Sequence, residues 1–163
     1  MNENNKYIFL DFDGVLNTGN YYRDLEMHGK PTTDNDGVLF DTRCVSHLNH
    51  VLEMTKAKII VTSSWRFFLT MEQLKKMWKH RELSGELQDI TPTNLIFSSE
   101  ELHPKGMEIN AWFSSKKLEQ QHTSYVIIDD ENLFLDSQQS HFVLTNPNTG
   151  ITNEIAEQVI KLL

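Results

Sequence analysis

A single α/β domain around a mainly parallel sheet is the fold class this chain predicts. Three observations carry it: short apolar runs recur along the 163 residues, helical patterns fill the intervals, and paired carboxylates end two of the runs. Alternation of this kind is the signature of strands joined by crossover helices. One core is expected at this length, over 1–163, with 18–40 as a flap-like insertion and 84–105 as an irregular connection around one short strand.

Strands are expected over 7–12, 57–62, 94–97, 124–129 and 141–144. The first helix spans about 43–55, because Val45, Leu48 and Leu52 recur at helical spacing and Asp41 or Thr42 can cap it. A second spans about 70–82 and turns Met71, Leu74, Met77 and Trp78 inward; a third, about 106–117, does so with Ile109, Trp112 and Phe113. The last follows the turn at 146–150, with Thr152 as cap and Ile155, Val159 and Leu162 as its stripe. The stretch 18–40 breaks the alternation: it is polar, carries Tyr21 and Tyr22, and holds the turn formers Gly29, Pro31 and Asp36-Gly37. It reads as a hairpin-like excursion beside Asp13.

Composition narrows the function classes. Hydrophobic residues make up 39% and charged residues 23%, so neither a disordered chain nor a membrane-embedded one is expected. The polar start, Met1 to Lys6, predicts no signal peptide. Cys44 is the single cysteine, which excludes an internal disulfide and suits a cytoplasmic protein. A net charge of −8 argues against a general nucleic-acid coat protein, whose affinity comes from neutralising phosphates, but leaves room for a local basic groove. The run Lys75, Lys76, Lys79, His80, Arg81 is the best candidate for one, and reads first as the solvated face of the second helix.

The chemistry points to the acids. Asp11 and Asp13 follow the first apolar run, and Asp129 and Asp130 follow the one at 125–128. In an open α/β sheet, ligands bind beyond the carboxyl ends of the strands. If these two strands are parallel neighbours, four carboxylates converge. Two of them about 4 Å apart repel by roughly 4 kcal/mol at an effective dielectric near 20. A cation must then sit among them, or some must hold protons. A calcium loop fits poorly, since Val15 and Leu16 replace oxygen ligands and the twelfth position is Tyr22.

Three weaker signals accompany the acids. Thr62 and Ser63 end the second expected strand, where a hydroxyl and backbone N–H groups can hold a phosphate oxygen, though Ser and Thr there often only cap helices. Trp65 reads as packing; Arg66 reads either as a phosphate ligand or as a surface ion-pair partner. Lys105 precedes the third helix and can aim its ammonium at the acids, although most lysines are surface decoration. His47 and His50 share a helix face but lack a third metal ligand, and Cys44 reads as a small buried side chain.

The order of these signals resembles the haloacid dehalogenase (HAD) superfamily of phosphatases and phosphotransferases over nearly the full chain. Strand-end Asp-x-Asp-Gly, strand-end Thr/Ser, Lys before a helix and strand-end Asp-Asp are its four motifs. Asp-Phe-Asp-Gly-Val-Leu-Asn, Ser-Ser-Trp-Arg, Lys-Gly-x-Glu-Ile-x-x-Trp and Ile-Ile-Asp-Asp look like the HAD domains of the Swiss Army Knife RNA-repair group. The resemblance implies a three-layer Rossmann-like fold with no large cap domain. It implies Asp11 as a nucleophile that forms an aspartyl-phosphate, and Asp13 as the acid and base. Mg²⁺ would be held by Asp11, the backbone carbonyl of Asp13 and a fourth-motif acid, Asp130 in preference to Asp129, which would orient it or hold Lys105. Thr62, helped by Ser63, would bind a transferring oxygen with Gly14, Arg66 and Lys105 about it. A minimal cap suits a macromolecular substrate: an RNA or DNA end, or a phosphoprotein. Tyr21, Tyr22 and Arg23 lie on the flap, where the aromatic rings can either stack on a base or pack against the core. A non-catalytic phosphate- or RNA-end-binding module and a phosphotransferase to an acceptor other than water are the alternatives; no membrane partner is expected, and the sequence is silent on oligomeric state.

Overall fold

The structure, a computed structural model, describes residues 5–163. Its elements follow in the order β1 (Lys6–Leu10), α1 (Gly19–Met27), β2 (Thr33–Asp34), β3 (Gly37–Val38), α2 (Thr42–Thr55), β4 (Lys58–Val61), α3 (Met71–His80), β5 (Glu86–Ile90), α4 (Pro104–Lys116), β6 (Ser124–Asp129), β7 (Phe142–Leu144) and α5 (Asn153–Leu162). Five strands form one parallel sheet in the order β5-β4-β1-β6-β7, and β2 and β3 pair as a small antiparallel hairpin. This is the α/β fold expected, with no large cap.

Strand alternation assigns the layers. Along β1, Ile8 and Leu10 join one core cluster with Leu48 and Leu52 of α2, Leu74 and Met77 of α3, and Ala156 and Val159 of α5. Tyr7 and Phe9 point the other way, into an aromatic cluster with Ile109, Trp112 and Phe113 of α4 and Tyr125 and Ile127 of β6. One face thus carries three of the helices; α4 packs on the other, where Phe9 and Trp112 meet edge to face at 5.3 Å. The helix starts are capped as the side chains dictate: Asp41 accepts from the Arg43 N–H, Thr70 forms a capping box with Gln73, and Thr152 accepts from the Ile155 N–H.

Two expectations are corrected. The edge strand is β5 at Glu86–Ile90, and 94–97 has no regular structure, with Ile96 97% exposed. The error has a physical cause: an edge strand buried on one side tolerates the polar Glu-Leu-Gln-Asp-Ile, whereas in the apolar run at 95–97 Leu95 and Ile96 are exposed and only Phe97 is half-buried. The excursion at 18–40 is a helix before it is a hairpin. Thr18 caps α1 and donates its hydroxyl to Asp41; only Leu25 of that helix is buried, so no apolar stripe marked it. No helix among the described residues is long and apolar enough to cross a membrane.

Candidate active site

Sheet register builds the floor of the site. Leu10 is paired with Val61 on one side and Ile128 on the other. One residue further, Asp11 therefore stands between Thr62 and Asp129; the Thr62 N–H donates to the Leu10 carbonyl at 3.0 Å and the Asp11 N–H to the Ile128 carbonyl at 3.1 Å. Asp11 shares the parity of Tyr7 and Phe9, Thr62 that of Ile60, and Asp129 that of Ile127, all members of the α4-side cluster. The three side chains rise on one face, toward α4.

That helix supplies the cation. Lys105 lies in the first turn of α4, behind Pro104, rather than ahead of the helix. Its Nζ donates to Asp129 Oδ2 at 2.6 Å and lies 3.3 Å from Asp11 Oδ2. Burial works to lower the lysine's pKa, but Asp11 and Asp129 outweigh it and raise it. Burial pushes Asp11 above its ordinary value against the pull of Lys105. Asp129 is pushed up to about 7, by burial first and then by Asp11, again against Lys105. Asp130 is raised for the same reasons, burial and the neighbouring Asp11 and Glu131.

Asp11, Asp129 and Asp130 each offer an oxygen within 4.8 Å of the others, the single such group among the described residues. The Asp13 carboxylate is not part of it. Asp129 already engages both oxygens, one with Lys105 and one accepting the Glu131 N–H at 3.0 Å. Asp130 instead turns toward the first motif: a Cβ at Gly14, whose φ is +71°, would lie 2.3 Å from its Oδ2. Glycine is required there twice, by its backbone and by this approach. Thr145 ties the two motifs together, donating its hydroxyl to the Gly14 carbonyl at 2.9 Å and its N–H to the Asp129 carbonyl at 2.9 Å.

The hydroxyls and Arg66 divide unlike the expectation. Ser63 accepts from the Trp65 N–H and so caps the 3₁₀ turn Ser64–Phe67. The Thr62 hydroxyl, fully buried, has no hydrogen-bond partner. Arg66 is not a surface residue. It is 6% exposed, donates to the Thr62 and Ser63 carbonyls, and pairs with buried Glu108. Desolvating a charge is tolerated when a partner and carbonyls receive its N–H groups, and here the two terminal nitrogens find both while Nε has no partner. Arg66 is thus a clamp on the loop that presents Thr62, and Glu108, one turn beyond Lys105, fastens that clamp to α4.

Asp13 stands at the mouth. It is exposed, accepts from the Asn17 amide at 2.6 Å, and receives the Trp65 indole N–H at 3.1 Å. Trp65 also packs on Phe12 and Phe40, so it is packing and donor at once. Asn17, Glu108 and Thr145 had no assigned role in the sequence. The first two stand inside the motifs, Glu108 on the same helix face as Lys105, and that spacing was the available signal; Thr145 carried none. Tyr21 and Tyr22 lie on α1, half-buried and exposed. His50 meets Glu157 at 3.6 Å, on a helix remote from the acids in sequence. Cys44 is buried, donates to the Thr149 carbonyl, and burial pushes its thiol up to about 12. The basic run splits: Lys75, Lys76 and Lys79 are exposed, while His80 and Arg81 pair with Asp36 and Asp34 of the hairpin.

Residues 7–156 match the family described as the HAD domain in Swiss Army Knife RNA repair proteins. The chain belongs to that family. A solved structure of a haloacid dehalogenase-like family hydrolase from Streptococcus pneumoniae is 13% identical, with a TM-score of 0.47 over 96% of this chain and 91% of that one. A comparison with curated proteins found no match. In this HAD domain the four motifs occupy the ends of adjacent parallel strands and the first turn of α4.

Proposed function

We propose that this HAD domain is a Mg²⁺-dependent phosphomonoester hydrolase that works through an aspartyl-phosphate and acts on a nucleic-acid end. The observation that carries the reading is the orphaned Thr62 hydroxyl beside Asp11. A buried hydroxyl without a partner costs about 1–3 kcal/mol, a cost removed when a ligand oxygen supplies the missing bond. The three-carboxylate cluster fits a hard divalent cation, since its donors are oxygens only. Asp11, Asp130 and the Asp13 carbonyl would hold Mg²⁺, which supplies charge for the phosphoryl oxygens.

The chain's own groups do the rest. Asp11 attacks phosphorus and forms an acyl phosphate while Asp13 gives its proton to the departing oxygen. Water then attacks the acyl phosphate, Asp13 takes the water's proton, and inorganic phosphate leaves with the Asp11 carboxylate restored. Lys105 offsets charge on Asp11 and on the phosphoryl group, and the Thr62 hydroxyl donates to a phosphoryl oxygen. Asp129 holds Lys105 in place. The absence of a large cap and the family's occurrence in RNA repair proteins support a nucleic-acid end as substrate.

Asp11→Asn tests the chemistry. Release of phosphate from a phosphorylated oligonucleotide with Mg²⁺ should fall at least about a thousandfold, with the unfolding midpoint retained because the substitution is isosteric. Undiminished turnover in that variant would end the proposal.

A further inference from the structure

Beside Asp13 lies a second feature that phosphoryl chemistry does not use. An open cavity of about 370 Å³ lies between the hairpin and the turn after β4, lined by Asp36, Gly37, Val38, Ser64, Trp65, Phe68 and Leu69. Its volume is at the lower end of the roughly 300–1,000 Å³ typical of small-ligand sites. Trp65 is common to both places: its indole N–H reaches Asp13, and its six-membered ring approaches the hairpin, where a Cβ at Gly37 would lie 3.2 Å from it. Gly37, at φ +111°, lets the hairpin close against the indole.

The wall is held from behind. Asp34 and Asp36 of the hairpin pair with Arg81 and His80 at the end of α3, and Arg81 also donates to the Gly37 and Val38 carbonyls at 3.3 Å. The cavity is therefore preformed. Phe68 is 83% exposed, a whole aromatic ring without cover at the rim. One carboxylate, Asp36, offers an acceptor at the edge.

We propose that this cavity seats the nucleobase adjoining the scissile phosphate, stacked against Phe68 and Trp65, with Asp36 accepting from a ring N–H or amino group on the base edge. Two aromatic rings with polar groups at Asp36 and Ser64 match a flat heterocycle, because stacking accepts any base and hydrogen bonding orients it. The single indole between cavity and Asp13 sets the base close to the leaving oxygen that Asp13 protonates. This inference rests on the phosphatase reading for its geometry, and its first test does not.

Unphosphorylated nucleoside is titrated against the full chain while tryptophan fluorescence is read. Trp78 and Trp112 are 3% and 2% exposed, so quenching reports Trp65. Saturable quenching is expected, with affinity weakened roughly tenfold in Phe68→Ala, within the range of one lost stacking partner. In the second test, kcat/KM for a nucleoside monophosphate should exceed that for ribose phosphate by roughly tenfold, and Phe68→Ala should narrow the gap. Unsaturable quenching that is equal in both proteins overturns the proposal; so does turnover indifferent to the base, or a phosphopeptide preferred with the same dependence on Phe68. Saturable nucleoside binding without any phosphate release upholds the cavity and overturns the phosphatase reading instead.

Discussion

The floor of the site and its mouth are built by different means. At the floor, Asp11, Thr62 and Asp129 stand on three adjacent strands whose register is set by the core beneath them. Moving one would require slipping a strand, which would turn its whole apolar set to the wrong face. At the mouth, Asp13 lies in a tight turn bridged to Asn17, its carboxylate held by the Asn17 amide and the Trp65 indole, while ion pairs fasten the nearby hairpin to the end of α3. The floor suits chemistry that needs fixed charge; the mouth suits recognition, since loops on a rigid scaffold vary without disturbing it. The join between the two is Arg66, which grips the backbone of Thr62 and Ser63 from inside.

Breaking that join gives the largest expected effect. Glu108→Ala leaves Arg66 buried and uncompensated, at a cost of about 3–5 kcal/mol. For a chain of this size the melting temperature should fall by roughly 6–20 °C. Replacing both partners, Arg66→Met with Glu108→Leu, should recover much of the loss, because apolar side chains of similar volume leave no stranded charge. A fall of under about 2 °C in the single variant would show that register alone holds the floor.

A cation should sharpen the contrast through pH. Asp129, pushed up to about 7, and Asp11 and Asp130, also raised, bind protons more tightly in the folded chain than in the unfolded one. Their contribution is complete below the ordinary carboxylate value and is lost as pH rises, for Asp129 through about 7. Without metal, stability from these groups therefore declines between about pH 4 and pH 7.5. Mg²⁺ held as proposed would bind the ionised acids, so its increment in melting temperature should be small at pH 5 and large at pH 7.5. At a hundredfold excess over the dissociation constant it amounts to about 2.7 kcal/mol, or roughly 5–10 °C. Glu108 is raised as well, by burial against the pull of Arg66, but it lies outside the acid cluster, which is why the Mg²⁺ increment and not the total is diagnostic. An increment independent of pH would place the cation elsewhere.

The same division explains what the sequence made legible. Apolar runs and helix stripes marked β1, β4, β6, β7 and the helices α2 to α5, because burial on one or both faces writes a period into the chain. The acids, Thr62 and Lys105 were legible as strand-end and helix-start residues, but the parity that sets Asp129 toward Lys105 depends on register, which no local pattern records. The mouth was legible least. Two-residue strands, a helix with one buried side chain and a strand rich in polar residues leave no period to read. Trp65 read as packing because an indole N–H finds its partner only in three dimensions. Arg66 was legible as a charge but not as a buried one, since its partner Glu108 lies 42 residues away.

The smallest expected effect tests whether the mouth contributes to chemistry as well as to recognition. Trp65→Phe keeps a ring against Phe12 and Phe40 and removes the N–H that Asp13 receives. A single hydrogen bond is worth up to about 1.5 kcal/mol, close to tenfold in rate. With an aliphatic phosphomonoester, which cannot stack, kcat should fall about tenfold while KM stays within about twofold, because the bond orients the acid and does not hold the phosphate. Asn17→Ala should act in the same direction, and the two together should fall short of additivity, since both steady one carboxylate. Unchanged kcat in Trp65→Phe would leave the indole as a wall of the neighbouring cavity and assign the orientation of Asp13 to Asn17 alone.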